Sequence, residues 1–117
     1  MKNPTTTREA SSAQEEYIAK KFHGSRTPNS GAGRFKKGDV ILDCGLLVEC
    51  KTCMTNKSSF SIKKEWLTKN AEEAFTNRNS TSCLVFNFGP GEKNYFIVDE
   101  FLMSYLVEKL EQENNLI

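Results

Sequence analysis

Two short apolar runs, Val40-Ile41-Leu42 and Leu46-Leu47-Val48, flank Asp43-Cys44-Gly45 near the middle of the chain. A strand, a tight turn and a second strand fit this pattern. Upstream, Ala13, Tyr17, Ile18 and Phe22 recur at helical spacing and predict a first helix from about Arg8 to Phe22. Between them lies a Gly-, Ser- and base-rich segment, His23 to Lys37, in which one short strand can hide. After Lys51, a polar loop from Thr52 to Ser59 leads to a second helix over Ser61–Asn77, with Ser61 as N-cap and Ile62, Trp66, Ala71, Ala74 and Phe75 as its apolar stripe. Trp66 reads as a core residue rather than a base-stacking platform. Two further strands follow, Ser82–Phe88 and Tyr95–Val98, joined by a turn over Gly89–Asn94. Asp99 can cap a last helix, Glu100–Gln112, with Phe101, Leu102, Tyr105, Leu106 and Leu110 on its buried side. Runs such as Leu46-Leu47-Val48 and Cys83-Leu84-Val85-Phe86 are apolar on both strand faces. They predict a central sheet covered on both sides, an α/β sandwich.

Composition narrows the class without changing that picture. The 117 residues suit a single domain spanning 1–117, with residues 1–8 a disordered polar tail. Apolar content of 38% and charge of 26% are ordinary for a soluble globule. No run approaches the roughly 18 apolar residues of a membrane span, and Met1-Lys2-Asn3-Pro4-Thr5-Thr6-Thr7 has no hydrophobic signal core. A cytoplasmic location without a membrane partner is expected. Net charge is only +1, but six basic residues and no acidic one lie between Tyr17 and Lys37. Lys51, Lys57, Lys63, Lys64 and Lys69 face only Glu65 in the next basic stretch, and the balance reverses from Asp99 onward. One basic side suits a polyanion site, against chance clustering on a solvated surface. Cys50-x-x-Cys53 has the spacing of a zinc half-site, but no second pair completes it. Cys44, Cys50 and Cys83 lie in apolar strand-like runs and read as reduced, small hydrophobes.

Strand alternation then gives the central hairpin its chemistry. Glu49 and Lys51 share one face, while Leu46, Val48 and Cys50 share the other. If the two strands pair antiparallel across the turn, Asp39 and Glu49 come close. Hard divalent cations bind carboxylate oxygens of this kind, and a neighbouring lysine can orient water or neutralise developing charge. The plainer alternative is a surface hairpin whose Glu49 and Lys51 form an edge-strand ion pair worth little. In the first helix, Glu15 lies at the margin of the apolar stripe, where it can reach a site on the sheet, whereas Glu16 points more nearly away. The loop ahead of Asp39 fits neither a P-loop nor a dinucleotide fingerprint. Its glycines and basic residues suit a grip on a nucleic-acid backbone, against a plain flexible linker.

These motifs resemble the PD-(D/E)xK nuclease superfamily. Gly38-Asp39-Val40 followed by Glu49-Cys50-Lys51 matches its catalytic pattern, with Gly38 in place of the name-giving proline. The likeness is closest to small archaeal and phage Holliday junction resolvases. It runs from about Gln14-Glu15 through Ser30-Gly31-Ala32-Gly33 and Lys37-Gly38-Asp39 to Phe88. The resemblance implies a restriction-endonuclease-like three-layer α/β/α core with a central mixed sheet. It also implies Mg²⁺- or Mn²⁺-dependent hydrolysis of phosphodiester bonds. Asp39, Glu49 and the Cys50 backbone carbonyl would hold the metal, Lys51 would position water and stabilise charge, and Glu15 would complete the site. Ser30, Arg34, Lys36, Lys37, Lys63 and Lys64 would engage DNA. It further implies a homodimer acting on branched or duplex DNA, in the host cytoplasm if the chain is of phage origin. The leading substrate class is the four-way junction. A restriction- or repair-type nuclease acting on duplex or flap DNA, and a non-catalytic nucleic-acid-binding module, are the alternatives.

Overall fold

The computed structural model describes residues 6–27, 39–76 and 81–115. Chain order is α1 (Thr7–Lys21), β1 (Gly24–Arg26), β2 (Asp39–Leu42), β3 (Leu46–Lys51), α2 (Lys64–Thr76), β4 (Thr81–Phe86), β5 (Tyr95–Ile97) and α3 (Glu100–Asn115). The strands form one mixed sheet in the order β1-β2-β3-β4-β5. β3 and β4 run parallel, with α2 as their crossover, and the other neighbours are antiparallel. The chain is therefore a mixed α/β protein. No described helix is long and apolar enough to cross a membrane.

The central hairpin forms where the apolar runs place it. Gly45 closes its turn at φ 97°, a backbone conformation that a Cβ would strain. Val40 then faces Val48, and Ile41 faces Leu47. Ile18 and Ala19 of α1 pack on Val40, Leu42, Val48, Cys83 and Val85, and Leu102 of α3 lies against the same cluster. Alternation turns Leu47 and Leu84, both fully buried, to the opposite face. α2 packs across β3 and β4 on that side, where the Asn70 carboxamide donates to the Cys83 carbonyl at 2.9 Å. Each apolar side chain so enclosed contributes about 1.5–3 kcal/mol relative to exposure.

The helices depart from expectation in start or in phase. Residues 7 and 8, assigned to the tail, belong to α1, because the Thr6 hydroxyl accepts the Glu9 N–H at 3.0 Å and starts the helix there. Ser61 is not a cap, since α2 begins at Lys64. Ala13, Tyr17 and Phe22 are exposed, and α1 buries Ala10, Gln14, Glu15, Ile18 and Ala19 instead. Its face is turned because Gln14 and Glu15 find polar partners within the fold. In α2, Asn70 and Ala74 face the sheet, so Ala71 is exposed and Phe75 is 86% exposed. In α3, Asp99 does cap, its Oδ1 accepting the Leu102 N–H at 2.8 Å. Yet no residue of this helix is buried, and Phe101, Tyr105, Leu106 and Leu110 stand exposed. Only its first turn touches the core, through Leu102. Cys44 sits exposed in the hairpin turn rather than within an apolar strand.

Candidate active site

β2 and β3 carry the candidate carboxylates, and their register is set by the apolar residues between the charges. With Val40 opposite Val48, Asp39 must stand opposite Glu49, and it does. Asp39 is 1% exposed and Glu49 6%. β3 is the middle strand of the sheet and both carboxylates are buried, so the plainer reading of a surface hairpin with an edge-strand Glu49–Lys51 pair does not describe them. Lys51 follows two residues later on the same face. Its ammonium lies 4.3 Å from the centroid of the Trp66 ring on α2, a cation–π contact. The exposed Lys63 approaches the same ring at 5.8 Å, and Lys64 is exposed at the start of α2.

Glu15 and Glu16 part company. Glu16 is exposed and pairs with Lys20 at 3.0 Å, and that hydrogen-bonded ammonium holds its carboxyl below the usual range. Glu15 is buried under α1, where its Oε1 accepts from Arg26 Nε at 3.2 Å and pairs with Arg26 Nη2 at 3.2 Å. Arg26 stands opposite Val40 in the β1–β2 register, so this pair lies on the α1 face. Asp39 and Glu49 belong to the other face of the same strands. All three carboxylates nevertheless lie near Cys50. Burial pushes that thiol up, and the charges of Glu15, Asp39 and Glu49 push it further.

Neighbouring polar groups join this end of the sheet. Gln14 Nε2 donates to the Lys51 carbonyl at 2.8 Å and to Asn94 Oδ1 at 3.4 Å. Asn87 Oδ1 accepts from the Thr52 hydroxyl at 2.7 Å and from the Gly89 N–H at 3.2 Å. Sequence reasoning missed the partnerships of Arg26, Gln14 and Trp66. The adjacency of Gln14 and Glu15 was the one signal available for α1, whereas nothing local tied Trp66 to Lys51. Ser30, Arg34, Lys36 and Lys37 lie outside the described residues.

Among the described residues, no group of three or more His, Cys, Asp or Glu side chains is placed to hold a metal. The facing pair Asp39 and Glu49 supplies two hard oxygen ligands. Such a set suits a cation that fills its remaining positions with water and phosphate, as Mg²⁺ does. It does not suit zinc, whose structural sites take four nitrogen or sulfur ligands. No protein-family model, curated protein or solved structure matches the chain.

Proposed function

We propose that the chain is a metal-dependent, structure-selective DNA endonuclease of the restriction-endonuclease-like fold, with the four-way junction as its leading substrate. One observation carries the reading: Asp39 and Glu49 face each other in register, buried, with Lys51 on the same strand face. The strand order supports it, since α1, the β2-β3 hairpin, the crossover α2 and a parallel β4 are compatible with the helix–strand–strand–helix–strand order of the core that the motifs resemble, β1 being an added strand.

Asp39 and Glu49, with the Cys50 carbonyl, would hold Mg²⁺ or Mn²⁺. The cation supplies Lewis-acid polarisation of the scissile phosphate and acidifies water. The chain's own residues do the rest. Lys51 brings a positive charge to the phosphate as negative charge builds on its oxygens. The Trp66 ring restrains the swing of its ammonium, so less freedom is lost when substrate arrives. Glu15 steadies Arg26, whose side chain is partly exposed and has further N–H groups to offer a phosphate. Lys63 and Lys64 add sequence-independent attraction to the DNA backbone.

A homodimer accompanies this reading. α3 exposes Phe101, Met103, Tyr105, Leu106, Val107 and Leu110, apolar on nearly every side. A helix with that pattern calls for a covering partner, and a second copy supplies one. Leu106→Glu combined with Leu110→Glu should convert a dimer to a monomer in sedimentation. A wild-type monomer at micromolar concentration would remove the dimer from the proposal.

The function is tested by offering the protein a synthetic four-way junction, a flap and a linear duplex with Mg²⁺. Conversion of the junction to nicked duplexes, ahead of the other two, is expected. Binding to all three without cleavage in Mg²⁺ or Mn²⁺ would leave only a binding module.

A further inference from the structure

A cleft of about 750 Å³ opens between α1 and the turn joining β4 to β5. Its place in the fold is informative. β3 and β4 are the parallel pair, and Thr52 and Asn87, the residues just beyond their C-terminal ends, line it. Lys51 ends β3 at this same edge, and Gln14, which also lines the cleft, is hydrogen-bonded to the Lys51 carbonyl. The cleft and the carboxylate pair therefore share one end of the sheet.

Its walls are aromatic. Tyr17, Phe22 and Phe96 border the space, and all three rings remain substantially exposed. Phe22 and Phe96 meet edge to face at 5.3 Å between centroids. Tyr17 and Phe22, which helical spacing assigned to the core, thus line the cleft. The polar lining is neutral and hydrogen-bonding: Thr52, Asn87, Asn94 and Gln14, held to one another and to the backbone. Lys21 and Lys93 add two cations against Glu92, the one acid. Planar rings take the π-face of any base, carboxamides match base edges, and lysines take phosphates. An aliphatic ligand would offer nothing to Lys21 and Lys93.

We infer that this cleft is a nucleotide subsite that receives an unpaired nucleotide of the DNA strand, with its base against Tyr17 or Phe96 and its phosphate near Lys21 or Lys93. The identity of the ligand rests on the nuclease reading, which supplies DNA. The subsite adds a structural reason for preferring branched DNA, because fully stacked duplex cannot fill it. Through Gln14, a filled cleft also bears on the strand that carries Lys51.

The test separates the subsite from the chemistry. A duplex with a single bulged 2-aminopurine is titrated with the full chain in EDTA, and emission is read. Cleavage of an unlabelled four-way junction with Mg²⁺ is measured in parallel. Wild-type protein should quench the bulged base. Tyr17→Ala, on an exposed helix face, should weaken the quenched complex by about tenfold, the scale of one lost base–aromatic stack. Tyr17→Phe should restore it, and Phe96→Ala should repeat the loss. Binding to a fully paired duplex should not change in any variant. Unquenched emission at saturating protein, or equal quenching by wild type, Tyr17→Ala and Phe96→Ala, would overturn the subsite. If the junction is still cut, the nuclease reading survives that result. Variant-dependent quenching without any cleavage would do the reverse, keeping the subsite and removing the nuclease. If Tyr17→Ala and Phe96→Ala instead shift the protein from dimer to monomer and leave the fluorescence alone, the cleft is a protein interface and the inference falls.

Discussion

β2 and β3 present two faces one residue step apart, one apolar throughout and one that sets charge beside Ile41 and Leu47. On the α1 side stand Val40, Leu42 and Val48, closed over by Ile18 and Ala19. On the other side the same strands hold Asp39, Glu49 and Lys51. The aliphatic face offsets the cost of putting two carboxylates opposite each other at depth. It also keeps those carboxylates still, because a strand packed at crystal-like density cannot slide or twist freely. A slip of one residue would exchange the two faces entirely, so the apolar contacts hold Asp39 and Glu49 in register. Changes at Asp39, Glu49 and Lys51 should therefore read out in reaction rate, and changes at Val40, Leu42 and Val48 in stability.

The sharpest break in that comparison is Asp39→Asn. Cleavage should fall by about 10³-fold or more, the scale of removing a group that stabilises transition-state charge. DNA binding in EDTA should remain, since a negative charge near phosphate has gone. A near wild-type rate with Mg²⁺ would mean that the face carries no chemistry. Lys51→Ala comes next, at about 10²-fold in single-turnover rate on pre-bound junction. Its stability cost should be small, because a cation–π contact of this kind is worth about 0.5–1 kcal/mol. Trp66 is the one tryptophan of the chain, so its emission should change as the ammonium leaves, reporting the contact independently of activity.

The opposite face answers differently. Val48→Ala should cost about 2 kcal/mol in urea unfolding, from lost burial and the cavity left behind. The rate per folded molecule should stay near wild type. A large rate loss without destabilisation would show that the two faces are not separable. The thiols on this face sharpen the point. Burial pushes Cys83 from 9.0 up to about 12, and Cys50 is raised as well. Both stay protonated in the folded protein and should resist alkylation at pH 8, while exposed Cys44 reacts. Unfolded chains ionise these thiols at ordinary values, so stability is unaffected below pH 9.0 and falls as pH rises from there towards about 12. Equal labelling of Cys44, Cys50 and Cys83 without denaturant would contradict a dry α1 face. The smallest effect is expected at the rim. Lys63→Ala with Lys64→Ala should weaken binding to every DNA shape, lowering the log–log salt slope by about one unit per lost phosphate contact. An unchanged slope would place both lysines off the DNA path.

What the residues determined by themselves is the central hairpin. A period of two leaves no choice of phase, and Asp43-Cys44-Gly45 sets the turn, so Asp39 opposite Glu49 followed from local order. The Asp99 cap was legible from residue type, whereas the short strand expected somewhere in His23–Lys37 was placed at Gly24–Arg26 only by the sheet. Helix phase was not. In α1 the apolar stripe pointed to Tyr17 and Phe22, but Gln14 and Glu15 turned inward because their polar atoms met the Lys51 carbonyl and Arg26. In α2, Asn70 took the core position by donating to the Cys83 carbonyl, which put Phe75 outside. Each deciding partner lies on another element and leaves no periodic trace in the helix. Lys51 meets Trp66 only because the crossover lays α2 over the end of β3. Local periodicity carries which residues share a strand face; which helix residues become partners depends on backbone groups that only the assembled sheet brings into reach.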